Sequence, residues 1–196
     1  MSSDYVETHA LIALSGKPVH RGHVELIEYA ARGCDEVTCF VSTSDRVRPD
    51  EFPVSGLVMH AVWVKYIEPW LPASVDVVYG GSPVGKVWEV LGNVDKAQQE
   101  GTVYIVHGDP EDNAANFPKS SLEKYVPWLL ENGWVRTWDV ARTRTTEISG
   151  TQMREWLQRG EFKMFAAFLP PFVPARELWD ELQDAAKTMK RVKKRK

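Results

Sequence analysis

Residues 9–23 read HALIALSGKPVHRGH, and the fold follows from how this stretch divides. Residues 9–15 form an apolar run without alternation, too short for a helix and suited to a strand buried on both faces. Gly16 and Pro18 then turn the chain tightly. From Gly22 onward Val24, Ile27 and Ala31 recur at helical spacing. A strand, a tight turn and a helix in immediate succession open a βα unit.

Working outward, the same alternation continues. Strands are expected at residues 36–43, 75–79, 103–107 and 134–141. Helices are expected at 53–68, stopped by Pro69 and Pro72, and at 85–100, interrupted by Gly92. Further helices are expected at 122–131, 150–159 and 175–189. The fold class implied is α/β: a Rossmann-like, doubly wound, mostly parallel five-stranded sheet with helices on both faces. Such sheets bind ligands beyond the carboxyl ends of their strands. That directs attention to the loops after Ser15, Thr43, Tyr79, His107 and Ala141.

The chain has 196 residues, 43% apolar and 26% charged, which fits one globular domain over residues 1–186 and excludes disordered and fibrous classes. No apolar run reaches the length of a membrane-spanning helix. The opening MSSDYVETH lacks the apolar core of a secretory leader. Cys34 and Cys39 sit close together near a predicted strand, so no disulfide framework is expected and a cytoplasmic, reducing setting is. No carboxylate cluster near them completes a zinc ligand set, and no residue is assigned to a metal. Residues 187–196, KTMKRVKKRK, form a basic tail of charge +7, and the body carries 17 basic against 27 acidic residues, or −10. An acidic body argues against nucleic-acid binding except through the tail. The tail either touches phosphate, an acidic partner or the body itself, or is a solvated charge run.

Two stretches carry the chemistry. In the first, Ser15-Gly16-Lys17-Pro18-Val19-His20-Arg21-Gly22-His23, the two histidines are three apart at the start of a helix. They point to similar sides, next to unpaired backbone N–H groups that favour an anion. Gly16 and Gly22 allow close approach, and Lys17 either reaches a phosphate or is a solvated turn lysine. In the second, Ile148-Ser149-Gly150-Thr151-Gln152-Met153-Arg154, Ser149 with Gln152 three later is a capping-box pattern. Ser149 and Thr151 bring hydroxyls to a helix N-terminus. Arg154, one turn in, can fork onto phosphate oxygens.

His20-Arg21-Gly22-His23 resembles the HxGH signature of the nucleotidyltransferase superfamily, with the usual proline at Pro18. Ile148, Ser149, Thr151 and Arg154 resemble its late ISxTxxR signature, and Phe168-Leu169-Pro170-Pro171 also looks like those enzymes. The resemblance covers residues 10–171, with the middle matched by pattern alone. The chain departs from the commonest form at Leu14, Gly16 and Val19, where glycine, phenylalanine and an aromatic residue are usual. Membership implies transfer of a nucleotidyl group to a phosphate monoester with release of pyrophosphate. In that chemistry His20, His23 and Arg154 would be catalytic. Ser15, Gly16, Lys17, Gly22, Asp109, Ser149 and Thr151 would bind the nucleotide, and Mg²⁺ would travel with the triphosphate.

The segment between the signatures is less specific. Arg46 and Arg48 follow the second strand and either bind the acceptor phosphate or lie in a solvated loop. Asp109 either accepts from a ribose hydroxyl or is a turn carboxylate. Arg142 and Arg144 precede the second signature, and Arg144-Thr145 resembles part of a cytidylyltransferase motif. Of eight tryptophans, Trp63, Trp88, Trp128, Trp156 and Trp179 fall in helical stretches and read as core or interface. The expected reaction is AMP transfer from ATP to an acceptor such as nicotinamide mononucleotide. A cytidylyltransferase using CTP and a small alcohol phosphate is the alternative. A non-catalytic nucleotide-binding or assembly module is the reading of another class; the tail and the tryptophans suit docking to a homo-oligomeric or larger partner.

Overall fold

A computed structural model describes residues 6–94, 101–141 and 147–193. Arg142, Arg144, Thr145, the end of the helix expected at 85–100 and the last three residues of the tail lie outside them. Five strands form one sheet: β1 (Glu7–Leu14), β2 (Glu36–Val41), β3 (Val75–Tyr79), β4 (Thr102–Gly108) and β5 (Val135–Asp139). Their order is β3-β2-β1-β4-β5 and every pair is parallel. This is the doubly wound, Rossmann-like arrangement, with the order reversing at β1. β1 is central, which explains its unbroken apolar run: Ala10, Leu11 and Ile12 are all fully buried.

The helices are α1 (Arg21–Gly33), α2 (Gly56–Val62), α3 (Pro83–Gly92), α4 (Pro110–Asn116), α5 (Lys119–Tyr125), α6 (Pro127–Glu131), α7 (Gly150–Arg159), α8 (Phe162–Ala167) and α9 (Ala175–Lys193). The helix expected over 53–68 starts later, because Ser55 caps it by accepting from the Val58 N–H. It then continues as a π turn over Trp63–Ile67 and a 3₁₀ turn over Glu68–Trp70. The helix expected over 122–131 is two helices, since Pro127 removes a backbone donor and opens α6. Residues 187–193, assigned to a tail on charge, continue α9, where Lys187 Nζ pairs with Asp184 Oδ1 at 2.8 Å.

The chain packs as two compact units. The first comprises Met1–Leu14, Leu26–Val41 and Pro72–Arg142, and therefore the whole sheet. One face of that sheet is covered by α3 to α6, with Leu11, Phe40, Val87, Leu91, Val106 and Leu129 in a shared core. The residues alternating with these face the second half of α1, where Tyr29 meets His107 edge-on at 6.4 Å. The second unit comprises Ser15–Glu25, Ser42–Leu71 and Thr143–Lys196. Its core includes Val54, Met59, Trp63, Ile67, Met153, Phe165 and Leu182, all nearly inaccessible. α9 contributes Leu178, Leu182 and Ala186, spaced four apart along one stripe.

Candidate functional site

Both signatures fall in the second unit, and side chains join them directly. Arg154 is the hub. Its Nη1 donates to the Lys17 main-chain carbonyl at 2.8 Å, and its Nη2 donates to Thr151 Oγ1 at 2.9 Å. Its Nε forms an ion pair with Glu51 Oε2 at 3.0 Å. Arg154 is only 5% exposed. Burial pushes its pKa down, the neighbouring Arg46 adds to that, and Glu51 opposes it. The guanidinium reaches Lys17 because residue 150 is glycine. A Cβ there would lie 3.1 Å from both Arg154 Nη1 and the Lys17 carbonyl oxygen.

The start of α1 is built by the two histidines. The His20 N–H donates to His23 Nδ1 at 3.1 Å, and the His23 N–H donates to the His20 carbonyl at 3.0 Å. This is the reciprocal logic of a capping box, with an imidazole in place of Glu or Gln. It also fixes the tautomer: Nδ1 of His23 accepts, so Nε2 carries the proton and is a donor. The two rings stack with centroids 3.7 Å apart, and His20 is buried. The Arg21 N–H donates to the Phe168 carbonyl at 2.8 Å, so the FLPP segment holds this helix start in place.

Lys17 is not a solvated turn lysine. It is 5% exposed, its Nζ donates to Ser42 Oγ at 2.8 Å, and burial pushes its pKa down against the pull of Asp45. Gly16 has φ +57°, and a Cβ built on it would sit 2.9 Å from Trp63 Nε1. The chain packs the Trp63 indole against this glycine. Ser15 is exposed at the start of the loop, and Gly22 lies in the first turn of α1.

The second signature caps α7: Ser149 Oγ accepts from the Gln152 N–H at 3.2 Å. Ile148 and Met153 are buried and anchor the turn from below. Arg46 sits beside the site. Its Nε and Nη2 donate to Glu51 Oε2 and Oε1 at 3.0 and 3.1 Å, a two-pronged pair. Its backbone pairs with Val54 in an antiparallel bridge, which folds the intervening loop back and brings Glu51 inward. The Arg46 bonds, above all, hold the Glu51 carboxyl below its usual range, and Arg154 and Arg48 add to that. Arg48 itself is exposed.

Of the residues expected from sequence, the second unit thus contains Ser15, Gly16, Lys17, His20, Gly22, His23, Arg46, Arg48, Ser149, Thr151 and Arg154. Asp109 belongs to the first unit. There Asp109 Oδ1 accepts from the Asp112 N–H at 2.9 Å and caps α4, the turn role that sequence left open. Sequence reasoning missed Glu51 and Ser42, which carry no local signal; it quoted Gly150 and Phe168 within their motifs without giving them a part, and it read Trp63 as core or interface, where it is fully buried.

No family model matches the chain, and no curated protein matches it in sequence. Solved structures match its fold. One is a bifunctional NMN adenylyltransferase/ADP ribose pyrophosphatase from Francisella tularensis, at 11% identity and TM-score 0.55 over 91% of this chain. Another is Thermotoga maritima TmcAL bound with alpha-thio ATP, at 12% identity and TM-score 0.50, again over 91% of this chain. The likeness is one of fold. The chain spans about half the length of these structures, matching 50% of the first and 56% of the second.

Proposed function

We propose that this protein is a nucleotidyltransferase that moves AMP from ATP to a small phosphate-monoester acceptor such as nicotinamide mononucleotide, releasing pyrophosphate. The observation that carries the reading is the clasp of Arg154 on Lys17, Thr151 and Glu51, which joins the two signatures around one buried guanidinium. A carboxylate held between the guanidiniums of Arg46 and Arg154 also marks a seat for anionic oxygen. The two fold neighbours, whose names include an NMN adenylyltransferase and an ATP complex, point the same way.

In this reading a phosphate oxygen of the acceptor attacks the α-phosphorus in line, and the bond to the β-phosphate breaks. The attacking oxygen is already ionised, so positioning and charge stabilisation supply the rate. His23, with its proton fixed on Nε2, donates to the α-phosphate as negative charge redistributes, and His20 stacks beside it. Ser149, Thr151 and Arg154 hold the departing pyrophosphate at the N-terminus of α7, and Lys17 adds a partly desolvated positive charge. Arg46, with Arg48 nearby, fixes the acceptor. Among the described residues no three metal-ligating side chains come together, and the residues of the site are mostly hydrogen-bond donors. Mg²⁺ carried with the triphosphate would supply charge neutralisation beside these donors.

The test is pyrophosphate release with ATP and CTP against a panel of acceptors. ATP with nicotinamide mononucleotide is expected to turn over. His23→Ala and Arg154→Lys are expected to lower turnover by at least about tenfold, with unchanged circular dichroism. No release with any pair, or near-normal rates in both variants, overturns the proposal. Release with CTP alone and an alcohol phosphate moves it to the cytidylyl reading.

A further inference from the structure

A second candidate binding site lies in the first unit, among residues that the proposed reaction does not use. A groove of about 330 Å³ is lined by Tyr29, Arg32, Cys34, His107, Arg136 and Trp138, among others. It exists because β5 is the edge strand. In the β4–β5 register Arg136 sits beside Ile105 and Trp138 beside His107, and these four residues face the second half of α1.

The groove combines three kinds of chemistry. First, Arg32 and Arg136 are exposed, and among the described residues no carboxylate lies within ion-pair distance of either. The groove therefore offers two cations that no carboxylate pairs among the described residues; Asp35, whose charge acts on Cys34, accepts instead from Thr8. Second, Tyr29 and Trp138 remain 40% and 43% exposed, and the Arg136 guanidinium lies 5.8 Å from the Trp138 ring centroid. Third, His107 is buried, and its Nδ1 lies 3.2 Å from the Ile105 carbonyl. The carbonyl can only accept, so Nδ1 carries the proton; burial lowers the ring's pKa and so favours the neutral form, in which Nε2 is an acceptor. The Cys34 thiol is pushed up by burial and brings no thiolate charge.

Each simple ligand leaves part of this unused. A bare phosphate engages only the guanidiniums, and an uncharged aromatic ring engages only the walls. An anion that carries a planar ring with an N–H donor satisfies cations, ring faces and acceptor together. The volume is in the range of small-molecule sites. We infer that the groove binds a small anion bearing a heteroaromatic ring, of the nucleoside monophosphate class, and does so independently of the clasp around Arg154.

The test uses the full chain and the four ribonucleoside monophosphates as probes. The readout is the indole N–H resonance of Trp138, assigned by its loss in Trp138→Phe. Saturable shifts with a dissociation constant below about 1 mM are expected for at least one probe. Arg32→Gln with Arg136→Gln should weaken that binding at least about tenfold. Both side chains are exposed, so the double change leaves the core intact. Arg154→Lys should leave it within about twofold, since sites without shared partners act independently. Three outcomes overturn the inference: no saturable shift with any probe, equal saturation by inorganic phosphate, or binding that survives the double change but is lost in Arg154→Lys. None of them bears on pyrophosphate release, so this inference and the proposed reaction fail separately.

Discussion

Glu51 is the residue on which the local charge balance turns. Its carboxylate is shared between Arg46 and Arg154, and its folded-state pKa lies below the ordinary value of 4.5. A depressed carboxyl adds stability that is fully present above about pH 4.5 and is lost as pH falls through its folded value. Glu51→Gln is therefore expected to cost about 1–2 kcal/mol at pH 7, because it leaves a buried guanidinium without its counter-charge. The variant should also lose less stability than the parent on acidification below pH 4.5, since this carboxyl no longer titrates. Urea midpoints at neutral and acid pH measure both effects, and parallel losses in the two proteins would contradict the assignment. At this scale the sequence was readable only in part. His20, His23, Ser149, Thr151 and Arg154 announce themselves by short spacing. Glu51 does not, because its role comes from a loop folded back by the Arg46–Val54 bridge, and no periodicity records a contact of that kind.

Elements were legible in proportion to their length and period. β1, β2, α7 and α9 carry either unbroken apolar runs or a repeating buried stripe, and each stands where its residues place it. The short helices α4 and α8 were not expected. Seven and six residues give too little periodicity to separate a helix from a loop. The π turn at Trp63–Ile67 had no signal either, since its neighbours read as ordinary helix. The cap of α7 is the element whose loss is easiest to interpret. Ser149→Ala removes the acceptor for the Gln152 N–H and is expected to cost about 1 kcal/mol in chemical denaturation. In the proposed function it also removes a hydroxyl from the pyrophosphate seat. The variant should then show weaker ATP-dependent thermal stabilisation beyond its lower starting midpoint. An unchanged ATP response would separate the cap from any ligand role.

At the scale of the whole molecule, the second unit is assembled from three stretches far apart in sequence, 15–25, 42–71 and 143–196. The bond between Arg154 and Lys17 spans 137 positions. No local pattern foretells such a contact: the resemblance implied that His20, His23 and Arg154 act together, and the bond that ties Arg154 to residue 17 is what the structure adds. A ligand gripped by all three stretches should protect them together. Hydrogen exchange with saturating ATP is expected to slow in 15–25, 42–71 and 147–193 in concert, with a stability gain of about 2.7 kcal/mol at a hundredfold excess over the dissociation constant. Protection confined to one stretch would mean that nucleotide does not bridge the signatures.

The bond that Arg154 makes to residue 17 ends on the main chain, not on a side chain. Any amino acid at that position would present the same oxygen, so the latch and the positive charge beside it are separable parts. Replacing the lysine with methionine keeps the latch fastened while removing the charge and its bond to Ser42. In the proposed function that change is expected to weaken the hold on an anionic substrate while Arg154 stays fastened to the main chain.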